Sequence, residues 1–183
     1  QANLSIQTII DLRHPDELSD SLTRGSLVDL VNDRYALSVI DTNRTLKDQT
    51  NELDTTYGFG QSGPRYFALL ERGELIWREI FRILFEPASY PVLTHCTAGK
   101  DRTGITAALI LDLMGVDQNT ISEDYAFSSK SIDQLFDHLV DAGRRPDGDI
   151  ETVKSRMVSN RKYMDDFLTL LYERYGNSEG YIK

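Results

Sequence analysis

Thirteen consecutive residues do most to limit what this chain can fold into: Val92-Leu-Thr-His-Cys-Thr-Ala-Gly-Lys-Asp-Arg-Thr-Gly104. The stretch 91–95 is apolar and reads as a buried strand. The stretch 103–114 is apolar almost all round and reads as a buried helix, with Gly115 as its left-handed cap. Strand, short loop and helix in that order put the loop at the carboxyl end of the strand and the amino end of the helix. Unpaired N–H groups of the first helical turn, together with the helix dipole, make such a loop a seat for negative charge.

The loop holds the chain's one cysteine. A nucleophilic cysteine acts as the thiolate, and a free thiol, at about 8.5, is mostly protonated near neutral pH. A helix amino end favours the ionised form of Cys96, and the same N–H groups can cradle phosphate oxygens. Arg102 can fork onto two of those oxygens and hold them in line with the sulfur. Gly99 lets the backbone curl close to the anion, and the Thr103 hydroxyl stands where it can bond the thiolate. Thr97, Ala98, Gly99, Lys100, Asp101, Arg102 and Thr103 are therefore the expected substrate-binding residues. A lone cysteine is ordinarily a small buried apolar group, but Cys, five residues, then Arg-Thr-Gly between an apolar strand and an apolar helix argues against that here. A Walker loop is excluded, because Thr94 stands where its first glycine belongs and Asp101 follows Lys100.

Elsewhere, 6–10 and 35–40 read as strands, and Pro15, Asp16 and Glu17 as a helix start. The polar stretch 44–63 is expected to be a long loop. Helices are expected over 64–85 (broken at Gly73), 119–127, 131–142 and 150–175, with a turn over 143–148. This pattern predicts an α/β fold, a small, mostly parallel central sheet flanked by helices, in a single domain over 1–183. The net charge of -9 argues against a nucleic-acid partner. No apolar run is long enough for stable membrane insertion. A lone thiol fits a reducing, cytoplasmic setting, with secretion left open because the chain starts in mid-strand and an N-terminal segment is expected to be missing. His, Cys, Asp and Glu show no metal-ligand spacing, so no metal or other cofactor is expected.

The loop resembles those of the Cys-x5-Arg phosphatases, and more narrowly of the LipA-like tyrosine phosphatase family, whose loops carry Lys-Asp-Arg as Lys100-Asp101-Arg102 do here. Asp11-Leu-Arg13 with Glu17, Asp124-Tyr125 with Ser128, and Tyr175-Gly176 through Tyr181 are similar to further family segments. The resemblance implies a phosphotyrosine-phosphatase-like fold and hydrolysis through a phosphocysteine, with Cys96 as nucleophile and Arg102 as phosphate clamp. It places an acid-bearing loop near Asp41, which follows the second strand, with Asp54 a rival; Asp101 is the second candidate to protonate the leaving group. Asp11, Arg13 and Asp124 are expected to brace the loop, and His95 to bond its backbone or tune the thiolate. The implied substrate is a phosphotyrosine protein. A phosphoinositide is the alternative, motivated by Lys100, which reads either as extra positive charge at the pocket rim or as a solvated lysine balancing Asp101. A catalytically silent phosphate-binding module is the alternative of another class.

Overall fold

The computed structural model describes residues 5–18, 31–58, 60–141, 143 and 148–183. Three short strands, β1 (Thr8–Asp11), β2 (Asp33–Ala36) and β3 (Val92–His95), form one parallel sheet in the order β2-β1-β3. The central strand β1 is buried along its whole length, as a parallel strand covered on both faces must be. Its register sets Asp11 opposite both Ala36 and His95. The carboxyl ends of all three strands therefore finish on one edge, where open parallel sheets bind ligands. Cys96 is the first residue beyond that edge on β3.

After β1 comes a single turn, α1 (Pro15–Leu18), and residues 19–30 lie outside the described set. Strand β2 is shorter and earlier than the expected 35–40. Strand β1 ends at Asp11, so beyond the bond from Leu37 N to Asp11 O at 2.9 Å there is no partner left for β2. The apolar residues that follow go into the helical layer instead, with Val39 buried there.

The expected loop 44–63 is mostly helix. Here α2 (Leu46–Tyr57) starts at Thr45, whose hydroxyl accepts from Asp48 N at 3.1 Å. Hydrophobic periodicity does not reveal α2 because it buries only Gln49 and Leu53. The expected helix over 64–85 is two, α3 (Gly63–Arg72) and α4 (Glu74–Leu84), divided at Gly73 as anticipated. Next come α5 (Asp101–Leu113), α6 (Gln118–Phe127) and α7 (Ile132–Asp141). The expected single helix 150–175 is also two, α8 (Ile150–Met157) and α9 (Arg161–Tyr175), because Asn160 caps a new start by accepting from Lys162 N. Of the turn 143–148, residues 144–147 lie outside the described set.

The core is one cluster between sheet and helices. Helix α9 packs against α3 and α6, while α5 runs from β3 between α6 and α10 (Ser178–Ile182). Tyr181 closes the base by donating to Leu70 O at 2.9 Å. No helix among the described residues is long and apolar enough to cross a membrane.

Candidate active site

The loop begins where β3 stops. Cys96 is buried at 6% exposure, whereas Thr97, Ala98 and Gly99 are open to solvent in front of α5. Gly99 takes φ +66, a left-handed conformation that side chains disfavour, and this bends the chain back toward the helix start. His95 Nδ1 lies 3.1 Å from Cys96 O, so the histidine meets the loop backbone as expected. Beneath it, Asp11 is fully buried and accepts from Arg13 Nε at 2.8 Å, Arg13 Nη2 at 2.7 Å and Arg34 Nη2 at 3.2 Å. Burial would raise the Asp11 carboxyl, but these bonds and the nearby His95 hold it below the usual range. This ion cluster ties the end of β1 to β2 through Arg34 and faces His95 Nε2 of β3 at 3.8 Å. Asp124 has no such role, since it is exposed on α6.

Arg102, the expected phosphate clamp, is held by three hydrogen bonds. Its Nη1 donates to Leu12 O at 3.0 Å and to Glu17 Oε2 at 2.7 Å, and its Nη2 donates to Glu17 Oε1 at 2.7 Å. A guanidinium has five N–H donors in a fixed plane. Nε–H and the remaining Nη2–H have no partner among the described residues, and these two form one edge. That edge can fork onto two phosphate oxygens while Glu17 grips the adjoining edge. Burial disfavours the charged guanidinium, yet the bonds to Glu17 raise its pKa further. Glu17 shifts the opposite way, held below the usual glutamate value: burial opposes its charge, and the paired Arg102 bonds overcome that opposition. Glu17 also accepts from the Thr97 hydroxyl and, at 2.7 Å, from His14 N. One carboxylate on α1 thus joins loop, clamp and sheet edge. The sequence carried Glu17 as a first-turn acid of a helix start and as a companion of Asp11-Leu-Arg13, with no role in the site attached to it.

The proton-donor candidates are placed differently. Asp41 is exposed and accepts from Asn43 N at 2.9 Å and Asn43 Nδ2 at 3.0 Å; these bonds, the backbone one first, lower its carboxyl below the usual range. No side-chain bond joins it to the loop, although its carbonyl lies 3.2 Å from His14 Nε2. Asp54 is occupied by Arg65 across α2 and α3. Asp101 opens α5 at 23% exposure and accepts from the Tyr66 hydroxyl, which meets the Tyr125 hydroxyl at 2.6 Å. Neither tyrosine was singled out for the site by sequence pattern. Lys100 is not a solvated lysine: its ammonium, in a side chain 11% exposed, donates to Met157 O at 3.3 Å and stands 3.7 Å from Asp101 Oδ1, while the residue lines a cavity beside the loop. Beside it Ala98, Gly99, Leu135, His138 and Met157 help line the same cavity, of about 420 Å³. The Thr103 hydroxyl is buried without a hydrogen-bond partner among the described residues, so the anticipated bond to the thiol is not made. No group of three or more potential metal ligands gathers among the described residues.

The fold and loop define a class before any comparison: an α/β domain whose Cys-x5-Arg loop links a parallel strand to a helix, with the arginine prepared for an anion. A model of the tyrosine phosphatase family matches residues 1–183, and the chain belongs to that family. It is 32% identical over 191 residues to a tyrosine-protein phosphatase of Nostoc commune, covering 100% of this chain and 62% of that protein. It is 54% identical over 48 residues to the triple specificity protein phosphatase PtpB of Mycobacterium tuberculosis, covering 26% of this chain and 17% of that protein. The chain thus spans less than two thirds of the length of either relative.

Proposed function

We propose that this chain hydrolyses phosphomonoesters, phosphotyrosine in proteins first among them, through a phosphocysteine intermediate. The observation that carries the reading is the Arg102 guanidinium. It is locked to Glu17 and Leu12 on two sides, and its third edge is left for an anion beside Cys96. In the first step the Cys96 thiolate attacks phosphorus and the P–O ester bond breaks. The leaving oxygen takes a proton from a carboxylic acid. In the second step water attacks the phosphocysteine, its proton returns to that carboxylate, and the S–P bond breaks to release phosphate and thiolate. The loop N–H groups and Arg102 stabilise the charge gathered on the equatorial oxygens, as fixed donors do in phosphoryl transfer.

For the proton we favour Asp101 over Asp41. Asp101 stands in the loop itself, whereas Asp41 is solvent-exposed and its bonds from Asn43 favour the deprotonated form. A second substrate class, a phosphoinositide headgroup, is supported by Lys100 beside the cavity of about 420 Å³, where a further anion would meet its ammonium. The name of the mycobacterial relative, a triple specificity phosphatase, supports a broad range as well.

Purified chain and Cys96→Ser are to be assayed on a phosphotyrosine peptide beside a panel of soluble short-chain phosphoinositides. Turnover on the peptide should fall by roughly 10⁶ in the variant, while phosphate-ester binding persists because the N–H cradle is intact. Retention of more than about a tenth of wild-type turnover would overturn the mechanism. An inactive wild type that still binds the peptide would support the silent module instead.

A further inference from the structure

Two buried phenols end on the loop carboxylate. Tyr66 (α3) is fully buried and Tyr125 (α6) is 4% exposed, and their rings meet edge to face with centroids 6.1 Å apart. A hydroxyl removed from water costs free energy unless it is bonded, and two phenylalanines would fill the same space without that cost. The hydroxyls therefore need an explanation, and Asp101 supplies it. The Tyr66 hydroxyl donates to Asp101 Oδ1, so its oxygen is free to accept, and at 2.6 Å Tyr125 must be the donor to it. Burial, and next the charge of Asp101, push the Tyr66 phenol far up, and burial does the same for Tyr125; both remain protonated donors throughout the working range. The direction of the chain is fixed: Tyr125 to Tyr66 to Asp101 Oδ1.

A third observation ties this pair to the loop motif. Gly104 has no left-handed φ to explain it. A Cβ there would lie 2.8 Å from Cδ2 and 3.1 Å from Cε2 of Tyr125. The glycine of Arg-Thr-Gly is needed for the close approach of Tyr125 to α5. Motif and phenol pair are thus one packed unit, even though 59 residues separate Tyr66 from Tyr125.

The geometry points to Tyr66 and Tyr125 as positioning residues for proton transfer by Asp101. Oδ1 is committed to Tyr66 and faces Lys100 Nζ at 3.7 Å, while Oδ2 has no hydrogen-bond partner among the described residues. The proton that Asp101 gives to the leaving oxygen and recovers from the attacking water therefore travels on Oδ2. The phenol chain sets the carboxyl rotamer that makes this oxygen available. Serial donors in a buried site also polarise one another, which stiffens the arrangement. This inference rests on the assignment of Asp101 as the acid proposed above.

The test is the leaving-group dependence of kcat/KM, which a loss of packing alone does not move. Tyr66→Phe and Tyr125→Phe are assayed on phenyl phosphate, a poor leaving group, and on p-nitrophenyl phosphate, a good one. Tyr66→Phe should lose about 10-fold or more on phenyl phosphate and no more than about 2-fold on the nitrophenyl ester. Tyr125→Phe should show a smaller loss of the same kind. In an Asp101→Asn background Tyr66→Phe should add nothing, because both remove one function. Equal losses on the two esters in both phenol variants, or losses that multiply with Asp101→Asn, would overturn the positioning role. If Asp101→Asn itself shows no leaving-group dependence and Asp41→Asn does, the acid assignment fails and this inference with it. If Asp101→Asn shows the dependence and the phenol variants do not, only the inference fails.

Discussion

Glu17 is the residue that holds Arg102, the proposed phosphate clamp. Its two oxygens meet two arginine nitrogens at 2.7 Å each, and a glutamine can satisfy only one of them. Glu17→Gln turns one acceptor toward the guanidinium as a donor, so the clamp is expected to lose its alignment with phosphate. A displacement of this kind, about 1 Å, can cost on the order of 10²-fold, and kcat/KM on a phosphotyrosine peptide should fall by roughly that factor. Stability should fall by about 1–3 kcal/mol, read by urea denaturation. An unchanged kcat/KM would mean that Leu12 and the loop hold Arg102 without it. The pH dependence has a definite sign. The folded-state carboxyl is depressed, so its stabilising contribution is complete above the ordinary glutamate value of 4.5. It is lost as pH falls from there through the lowered value. Wild type should lose stability over that acid window more steeply than Glu17→Gln, which has nothing to titrate at that position.

At the scale of elements, α2 shows what periodicity overlooks. Its twelve residues are largely polar, only Gln49 and Leu53 are buried, and nothing in 44–63 traces an apolar stripe. What marks it is end chemistry: the Thr45 hydroxyl accepts from Asp48 N and donates to Asp48 Oδ2 at 2.7 Å. Polar side chains then anchor it to its neighbours, Glu52 pairing with Arg44 at 2.7 Å and with Arg72 at 2.8 Å, and Asp54 pairing with Arg65. Such a helix depends on its cap more than a buried one does. Thr45→Ala should cost about 1 kcal/mol in urea denaturation while leaving turnover on a phosphotyrosine peptide nearly unchanged. A cost near zero would show that the ion pairs alone hold α2. The division between α8 and α9 has a similar cause: residues 158–160 leave the helical path, and Asn160 starts a fresh helix with its own cap.

At the scale of the whole chain, the net charge of -9 bears on how the proposed phosphopeptide substrate approaches. Arg102, Lys100, Arg13 and Arg34 are positive, but Glu17, Asp101 and Asp11 are paired with them, so the site's own charge is largely offset. An acidic phosphopeptide therefore meets net repulsion on arrival, and salt screens it as the Debye length shrinks from about 30 Å at 0.01 M to about 8 Å at 0.15 M. Over that range kcat/KM for a phosphotyrosine flanked by acids should rise about 3-fold or more, and for one flanked by lysines it should fall. A fall for the acidic peptide would show that local positive charge at the loop outweighs the rest of the surface.

By itself the sequence determined the strand–loop–helix segment, the residues proposed as nucleophile and clamp, and a small parallel sheet. Those features are local: an apolar strand, a glycine that turns left-handed, and a helix start with open N–H groups are all written in adjacent residues. Only the tertiary structure decided what surrounds them. Glu17 lies 85 residues from Arg102 and Tyr66 lies 35 from Asp101, and no periodicity connects such distant positions. They meet because β1 and β3 pair in a register that puts Leu12 N 2.8 Å from His95 O, and because α3 and α6 both pack on α9. Burial then makes their partnerships obligatory, since a carboxylate or a phenol taken from water has to find its hydrogen bonds inside the protein.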